Sequence, residues 1–200
     1  KNLEYILKGG NEYIDDRGRI TNYELTEPIN LIGYIESKKG TVRANHYHPI
    51  QEQKCLLIKG RYVSVIKDLA DENSIIETKI INEGDIAIIH PNVIHTMVFL
   101  EDSIFLNLVR GEREHENYGL THTIRNILVD EEFRLQIMNS YKADCRVCKS
   151  KDLEPIISLG KVPLANNLIE NLNQTVETFP LELFKCNSCN NCQLSYNVDP

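Results

Sequence analysis

His46 and His48 stand one residue apart in the run TVRANHYHPIQEQKCLLIKG, residues 41 to 60. On a strand, residues i and i+2 project from one face, so the two imidazoles point the same way. A neutral imidazole ligates metals, and its pKa near neutrality also suits it to proton transfer. A third histidine, His95, ends the segment GDIAIIHPNVIH (84–95), which carries a glycine and a proline turn. The residues alone leave three readings open: a metal site, a general base, or hydrogen-bonded filler inside a barrel.

The second concentration of chemistry is sulfur. Of six cysteines, Cys55 stands alone in an apolar stretch and five fall between 145 and 192. CRVC (145–148) and CNSC (186–189) are two Cys-x-x-Cys knuckles with 37 residues between them. Each knuckle presents two thiolates at tetrahedral spacing, and two knuckles complete a closed four-cysteine zinc site. The predicted ligands are Cys145, Cys148, Cys186 and Cys189. Cys192 is left outside, because Cys186 and Cys189 complete the tetrad on a single turn. Cys55 reads as a small core residue.

The elements that must position these groups are mostly strands. Up to about residue 110 the chain alternates short β-branched runs with turns, among them Lys39-Gly40, Lys59-Gly60, Glu83-Gly84-Asp85 and Pro91-Asn92. Strands at this spacing predict a closed antiparallel barrel or jelly roll. The period then changes: VDEEFRLQIMNSY offers Asp130 as N-cap and Phe133, Ile137 and Tyr141 at helical spacing. The predicted organisation is a barrel domain over 1–128, a linker helix over 129–142 and a small module over 143–200. A module that small rarely stands on an apolar core alone, so bound metal would stabilise it.

Hydrophobic residues make up 42% of the chain and the net charge is −7, with both signs interspersed. The first supports a packed core; the second speaks against nucleic acid, whose phosphates attract a basic face. No run approaches the roughly 18 apolar residues of a membrane span, and the N-terminus lacks a signal peptide's apolar centre. A cytoplasmic protein is expected. The chain begins at Lys1 rather than Met, which reads as a fragment or a processed product.

The histidine segments resemble the paired motifs of the cupin superfamily. Gly40, His46, His48 and Gly60 follow its first motif, and Gly84, Pro91 and His95 its second. Where a metal-binding cupin carries glutamate, this chain has Gln53; Glu52 next to it has the wrong strand parity. A neutral amide weakens a site for iron or manganese, though three histidines can still hold zinc. Within the cupins, VRANHYH, YIDDRGRI (13–20) and EQKCLLIKG resemble nucleotide-sugar epimerases and ketoisomerases, and the likeness spans residues 10 to 125. The resemblance implies His46 as the base, with His48 or His95 orienting it or donating to a keto oxygen. It assigns Arg17 and Arg43 to a diphosphate and Gln53 to the substrate. Arg43 lies three residues from His46 and faces the other way unless the strand bulges. Tyr118, with His115, is a candidate acid for the opposite face of the sugar.

The cysteine module resembles the zinc-binding N-terminal domain of sugar C-methyltransferases. The likeness rests on Leu159 to Asn166 (LGKVPLAN), Pro180 to Leu183 (PLEL), the two knuckles, Gln193 and Leu194. In that family an S-adenosylmethionine-binding domain follows, and this chain stops at Pro200 without a glycine-rich nucleotide loop. S-adenosylmethionine is therefore expected only of a longer product.

Both resemblances imply a nucleotide-diphospho sugar as ligand. The expected activity is 3- or 5-epimerisation, or ketoisomerisation, of a 4-keto-6-deoxy sugar by histidine-driven enolisation. Two alternatives stand beside it: a metal-dependent cupin enzyme using His46, His48 and His95, and a non-catalytic sugar-binding cupin with a regulatory role. By analogy with cupin epimerases, a homodimer is expected.

Overall fold

A computed structural model describes residues 3–110, 123–141, 144–166, 171, 174 and 176–198. The chain divides into two units, Lys1–Arg134 and Leu135–Pro200.

The first unit is almost entirely β. Its strands are β1 (Glu4–Leu7), β2 (Gly10–Asp15), β3 (Gly18–Asn22), β4 (Leu31–Ser37), β5 (Val42–Tyr47) and β6 (Gln53–Lys59). They continue with β7 (Arg61–Asp68), β8 (Glu77–Asn82), β9 (Ile86–Ile89), β10 (Val93–Phe99), β11 (Ser103–Val109) and β12 (Ile124–Arg125). Ten of these form two five-stranded antiparallel sheets, in the orders β1-β9-β6-β11-β4 and β12-β5-β10-β7-β8. This is the jelly-roll arrangement that the strand pattern predicts.

The core lies where the inward positions of both sheets meet: Cys55, Leu57, Tyr62, Ile81, Ala87, Met97, Phe99 and Phe105. Cys55 belongs to it, as an apolar setting implies. The central strand β10 is buried along its whole length, so its polar His95 and Thr96 need internal partners. The tight β6–β7 turn depends on Gly60, whose φ is +90°. A Cβ there would meet Ser103 Oγ at 2.3 Å and the Asp102 carbonyl at 2.8 Å. Only glycine fits.

Strands β2 and β3 pair only with each other, in a hairpin outside both sheets, and expose Tyr13, Ile14 and Ile20. The turn signals flagged none of β1 to β3 as strands, because short, half-exposed pairs lack clean alternation.

Helix α1 (Glu131–Ser140) begins where the sequence predicts: Asp130 Oδ1 accepts the Phe133 N–H at 2.8 Å, an N-cap bond. Glu131 and Glu132 favour the positive end of its dipole. Ile137 and Tyr141 are buried and Phe133 is half-buried. No helix among the described residues is long and apolar enough to cross a membrane.

The second unit is a three-stranded antiparallel sheet of β13 (Leu153–Pro163), β14 (Thr178–Cys186) and β15 (Cys192–Leu194), in that order. Its two cysteine knuckles repeat one bonding pattern. Cys145 N donates to Ser150 O and Lys149 N to Cys145 O; Cys186 N donates to Asn191 O and Asn190 N to Cys186 O. Lys149 and Asn190 hold matching left-handed φ values of +62° and +60°. Each turn therefore folds back on its first cysteine and aims its two sulfurs inward.

Candidate functional site

The barrel site starts from an irregularity in β5. Ala44 and Asn45 both adopt left-handed backbone, with φ of +69° and +55°. Across the ladder, His95 pairs with His46 while the next residue, Thr96, pairs with Ala44. One extra residue is thus accommodated on β5, and the alternation slips by one. As a result Arg43 and His46, which a regular strand would point to opposite faces, line the same cavity. The bulge that the sequence requires for Arg43 is present.

That cavity encloses about 120 Å³, and its wall is built from four further strands besides β5. Ile35, Met97 and Phe105 make it apolar, while Arg43, His46, Gln53 and Asn107 supply the polar groups. Arg43 is held by two bonds, Nε to Ser37 Oγ at 2.6 Å and Nη2 to the Glu36 carbonyl at 2.7 Å. Gln53 Nε2 donates to Asn107 Oδ1 at 3.2 Å and to Cys55 Sγ at 3.1 Å. Asn107 was missed in the sequence, although its parity with Phe105 in SIFLNLV already turned it inward. Glu52 faces away from the cavity, as its parity requires, and pairs with Lys54 at 2.8 Å and His90 at 3.3 Å.

The three histidines of the two motifs converge. Ring centroids are 4.8 Å apart for His46 and His48, 4.7 Å for His46 and His95, and 5.3 Å for His48 and His95. One ring nitrogen from each lies within 4.8 Å of the others. His95 Nδ1 faces the Val93 carbonyl at 3.2 Å, which fixes the Nδ1–H tautomer and leaves Nε2 with its lone pair. Burial, then the neighbouring His46 and His48, pushes its pKa well below the ordinary range. His95 is neutral at pH 7. His48 Nδ1 lies 3.3 Å from Thr123 Oγ1. Among the described residues the cluster contains no carboxylate.

One assigned residue, Arg17, does not join them. Arg17 sits in the turn of the β2–β3 hairpin, 80% exposed, with its guanidinium on Asp15. It does not line the cavity, because the hairpin forms its own two-stranded sheet and Asp15 holds the side chain locally. Tyr118 and His115 lie outside the described residues.

In the second unit the sulfurs of Cys145, Cys148, Cys186 and Cys189 all lie within 4.8 Å of one another. Cys145 and Cys189 are 3.6 Å apart, as are Cys148 and Cys186. Tetrahedral zinc with Zn–S bonds of about 2.3 Å needs S···S separations of roughly 3.8 Å. The four cysteines therefore fit zinc, with two of their separations already close to that value. The Cys148 backbone N–H, with that of Val147, draws the Cys145 thiol down to about 6 against the cost of burial. Cys189 receives an N–H from Asn191, yet the neighbouring sulfurs push it up to about 12. One thiol ionises readily and the last resists beside it, which is the pattern a central cation reverses. Cys192 lies on β15, exposed and outside this group.

Residues 145–200 match the methyltransferase-associated family described as "Putative zinc binding domain". No curated protein sequence matches the chain. Among solved structures, the barrel is similar to a double mutant of a 3,4-ketoisomerase from Thermoanaerobacterium thermosaccharolyticum in complex with TDP. That match has a TM-score of 0.52 and 23% identity, and covers 63% of this chain and 89% of the other. A 3,4-ketoisomerase from Helicobacter canadensis matches with a TM-score of 0.51 and 22% identity, over 68% and 97% of the two chains. The dTDP-4-dehydrorhamnose 3,5-epimerase from Bacillus anthracis, with TDP and PPi bound, gives 0.53 and 19%, over 66% and 85%. The first unit thus has the cupin-like fold of sugar epimerases and ketoisomerases, joined to a four-cysteine module that fits zinc.

Proposed function

We propose that the barrel moves a proton at a carbon next to the ketone of a nucleotide-diphospho-4-keto-6-deoxy sugar, as a 3- or 5-epimerase or a ketoisomerase. The observation that carries this reading is the shared cavity of Arg43 and His46. A cation for the diphosphate and a base for the sugar stand on one wall, and the apolar Ile35, Met97 and Phe105 exclude water from the rest.

His46 takes the acidic proton at C3 or C5. Neutral His95, with only a lone pair turned to the cluster, cannot donate; it orients His46 and stabilises the imidazolium that forms. His48 packs against His46 without lining the cavity and shares that orienting role, and the Gln53–Asn107 amide pair on the cavity wall faces the sugar's oxygens. Tyr118 stays the sequence-based candidate for returning a proton on the other face. The test is solvent deuterium exchange into TDP-4-keto-6-deoxyglucose followed by NMR. Wild type should exchange and His46→Asn should not. Binding of the sugar nucleotide with no exchange in wild type would leave a sugar-binding cupin instead.

The convergence of three imidazole nitrogens within 4.8 Å favours a second reading, a divalent metal held by His46, His48 and His95. Activity lost to chelators and restored by metal would select it over the first. In the module, Cys145, Cys148, Cys186 and Cys189 would hold zinc in a closed shell, which stabilises the fold and leaves no position for substrate. Its family match supports a place in a sugar C-methyltransferase, with methyl transfer requiring a methyl-donor site that neither the barrel nor the closed tetrad provides.

A further inference from the structure

The bulge that brings Arg43 and His46 together needs something to hold it. Two consecutive non-glycine residues in left-handed backbone are disfavoured, and a regular β5 would undo the slip. Asn45 is the residue best able to fix it. Its Oδ1 accepts from Leu128 N and Val129 N, both at 3.0 Å, and from Thr96 Oγ1 at 2.8 Å. Its Nδ2 donates to the Val129 carbonyl at 3.0 Å. Its own carbonyl accepts the Asn126 N–H at 2.9 Å. None of these partners lines the cavity, and neither does Asn45. The side chain is an anchor on the far face of the strand, tied to the segment that also pairs β12 with β5 at Tyr47 and His46.

We infer that Asn45 is a positioning residue: its hydrogen bonds to Thr96, Leu128 and Val129 lock the β5 bulge and so place Arg43 and His46 on one cavity wall. The inference rests on the roles proposed above for Arg43 and His46. Asparagine suits the position twice over, since it tolerates left-handed backbone and its amide offers both a donor and an acceptor. Glycine would supply the backbone freedom without the anchor, and alanine would supply neither.

The experiment uses the full chain. Calorimetry with TDP measures binding, deuterium exchange into TDP-4-keto-6-deoxyglucose measures turnover, and imidazole ¹H–¹⁵N spectra report the His46 ring. Asn45→Gly and Asn45→Ala should both weaken TDP binding about tenfold or more, slow exchange, and shift the His46 signals. The Arg43→Ala/Asn45→Ala double variant should bind TDP no more weakly than Arg43→Ala alone, because contacts that act as a unit are not additive. Wild-type binding and an unshifted His46 signal in Asn45→Gly would overturn the inference, since backbone freedom would then suffice. Losses that multiply in the double variant would overturn it too. If Asn45→Ala does not fold, Thr96→Val removes one bond and keeps the shape. A threefold or larger loss of TDP affinity there supports the anchor, and none refutes it. Arg43→Ala with unchanged TDP binding would instead fault the proposed role of Arg43; the His46 spectra of Asn45→Gly would still decide whether Asn45 positions the strand.

Discussion

His46 and His95 face each other directly across the β5–β10 ladder, their rings edge-on at 88° with centroids 4.7 Å apart. The Val93 carbonyl fixes the His95 tautomer, so on the function proposed above the proton traffic of the pair falls to His46. His46→Asn should lower deuterium exchange into a 4-keto sugar nucleotide by about 10²–10⁴, the usual worth of a positioned general base. TDP affinity should change little, because Arg43 is untouched. Full exchange in this variant would remove His46 from the role.

Much of this arrangement was legible in the sequence, and the exceptions have physical causes. The His-x-His spacing, the glycine turns and the two knuckles are local patterns, so they announced the jelly roll and the sulfur cluster. Asn45 was invisible because its partners Leu128 and Val129 are over 80 residues away and carry no signature. Asn107 lay in plain parity but in an apolar run, where one amide reads as an interruption. Arg17 was assigned to the ligand by likeness of its neighbours, whereas its hairpin stands apart from the sheets that form the cavity.

Glu4 gives the barrel a pH dependence. It is fully buried, accepts from Ser64 Oγ at 2.7 Å, and has Lys79 Nζ 4.0 Å from its second oxygen. Burial outweighs these partners and raises its pKa from 4.5 to about 7. A carboxyl that holds its proton more tightly when folded stabilises fully below about pH 4.5, and that contribution is lost as pH rises through 7. The loss amounts to about 3 kcal/mol at most. Glu4→Gln should therefore gain stability over wild type between pH 5 and 8 in urea unfolding. Equal slopes in both proteins would rule Glu4 out as the source.

The β6–β7 turn offers a sharp packing test. Gly60→Ala places a Cβ 2.3 Å from Ser103 Oγ in backbone that L-residues avoid. Ser103 can rotate, but the Asp102 carbonyl at 2.8 Å cannot retreat without moving the turn. The expected cost is about 2 kcal/mol or more. Gly10→Ala meets nothing within 4 Å and should cost far less. Matching unfolding midpoints for the two variants would contradict this account of the turn.

Metal content separates the two units. The tetrad of Cys145, Cys148, Cys186 and Cys189 has S···S distances of 3.6 Å across its two bridging pairs, close to what zinc needs. Without a cation, Cys189 is pushed up to about 12 while Cys145 is drawn down to about 6, so four thiolates do not coexist at neutral pH. Zinc binding must then release protons and hold the knuckles together. Among the described residues the three-stranded sheet exposes Ile156, Ile157 and Leu159 and buries Phe184 as its one apolar side chain besides Cys186, so the metal should supply much of its stability. A strong chelator should unfold residues 144–198 and leave the barrel transition in place. Cys192→Ser should retain one zinc per chain and Cys189→Ser should lose it. A second equivalent of zinc, lost on His95→Gln, would move the barrel to the three-histidine metal reading. Retention in Cys189→Ser with loss in Cys192→Ser would reassign the fourth ligand.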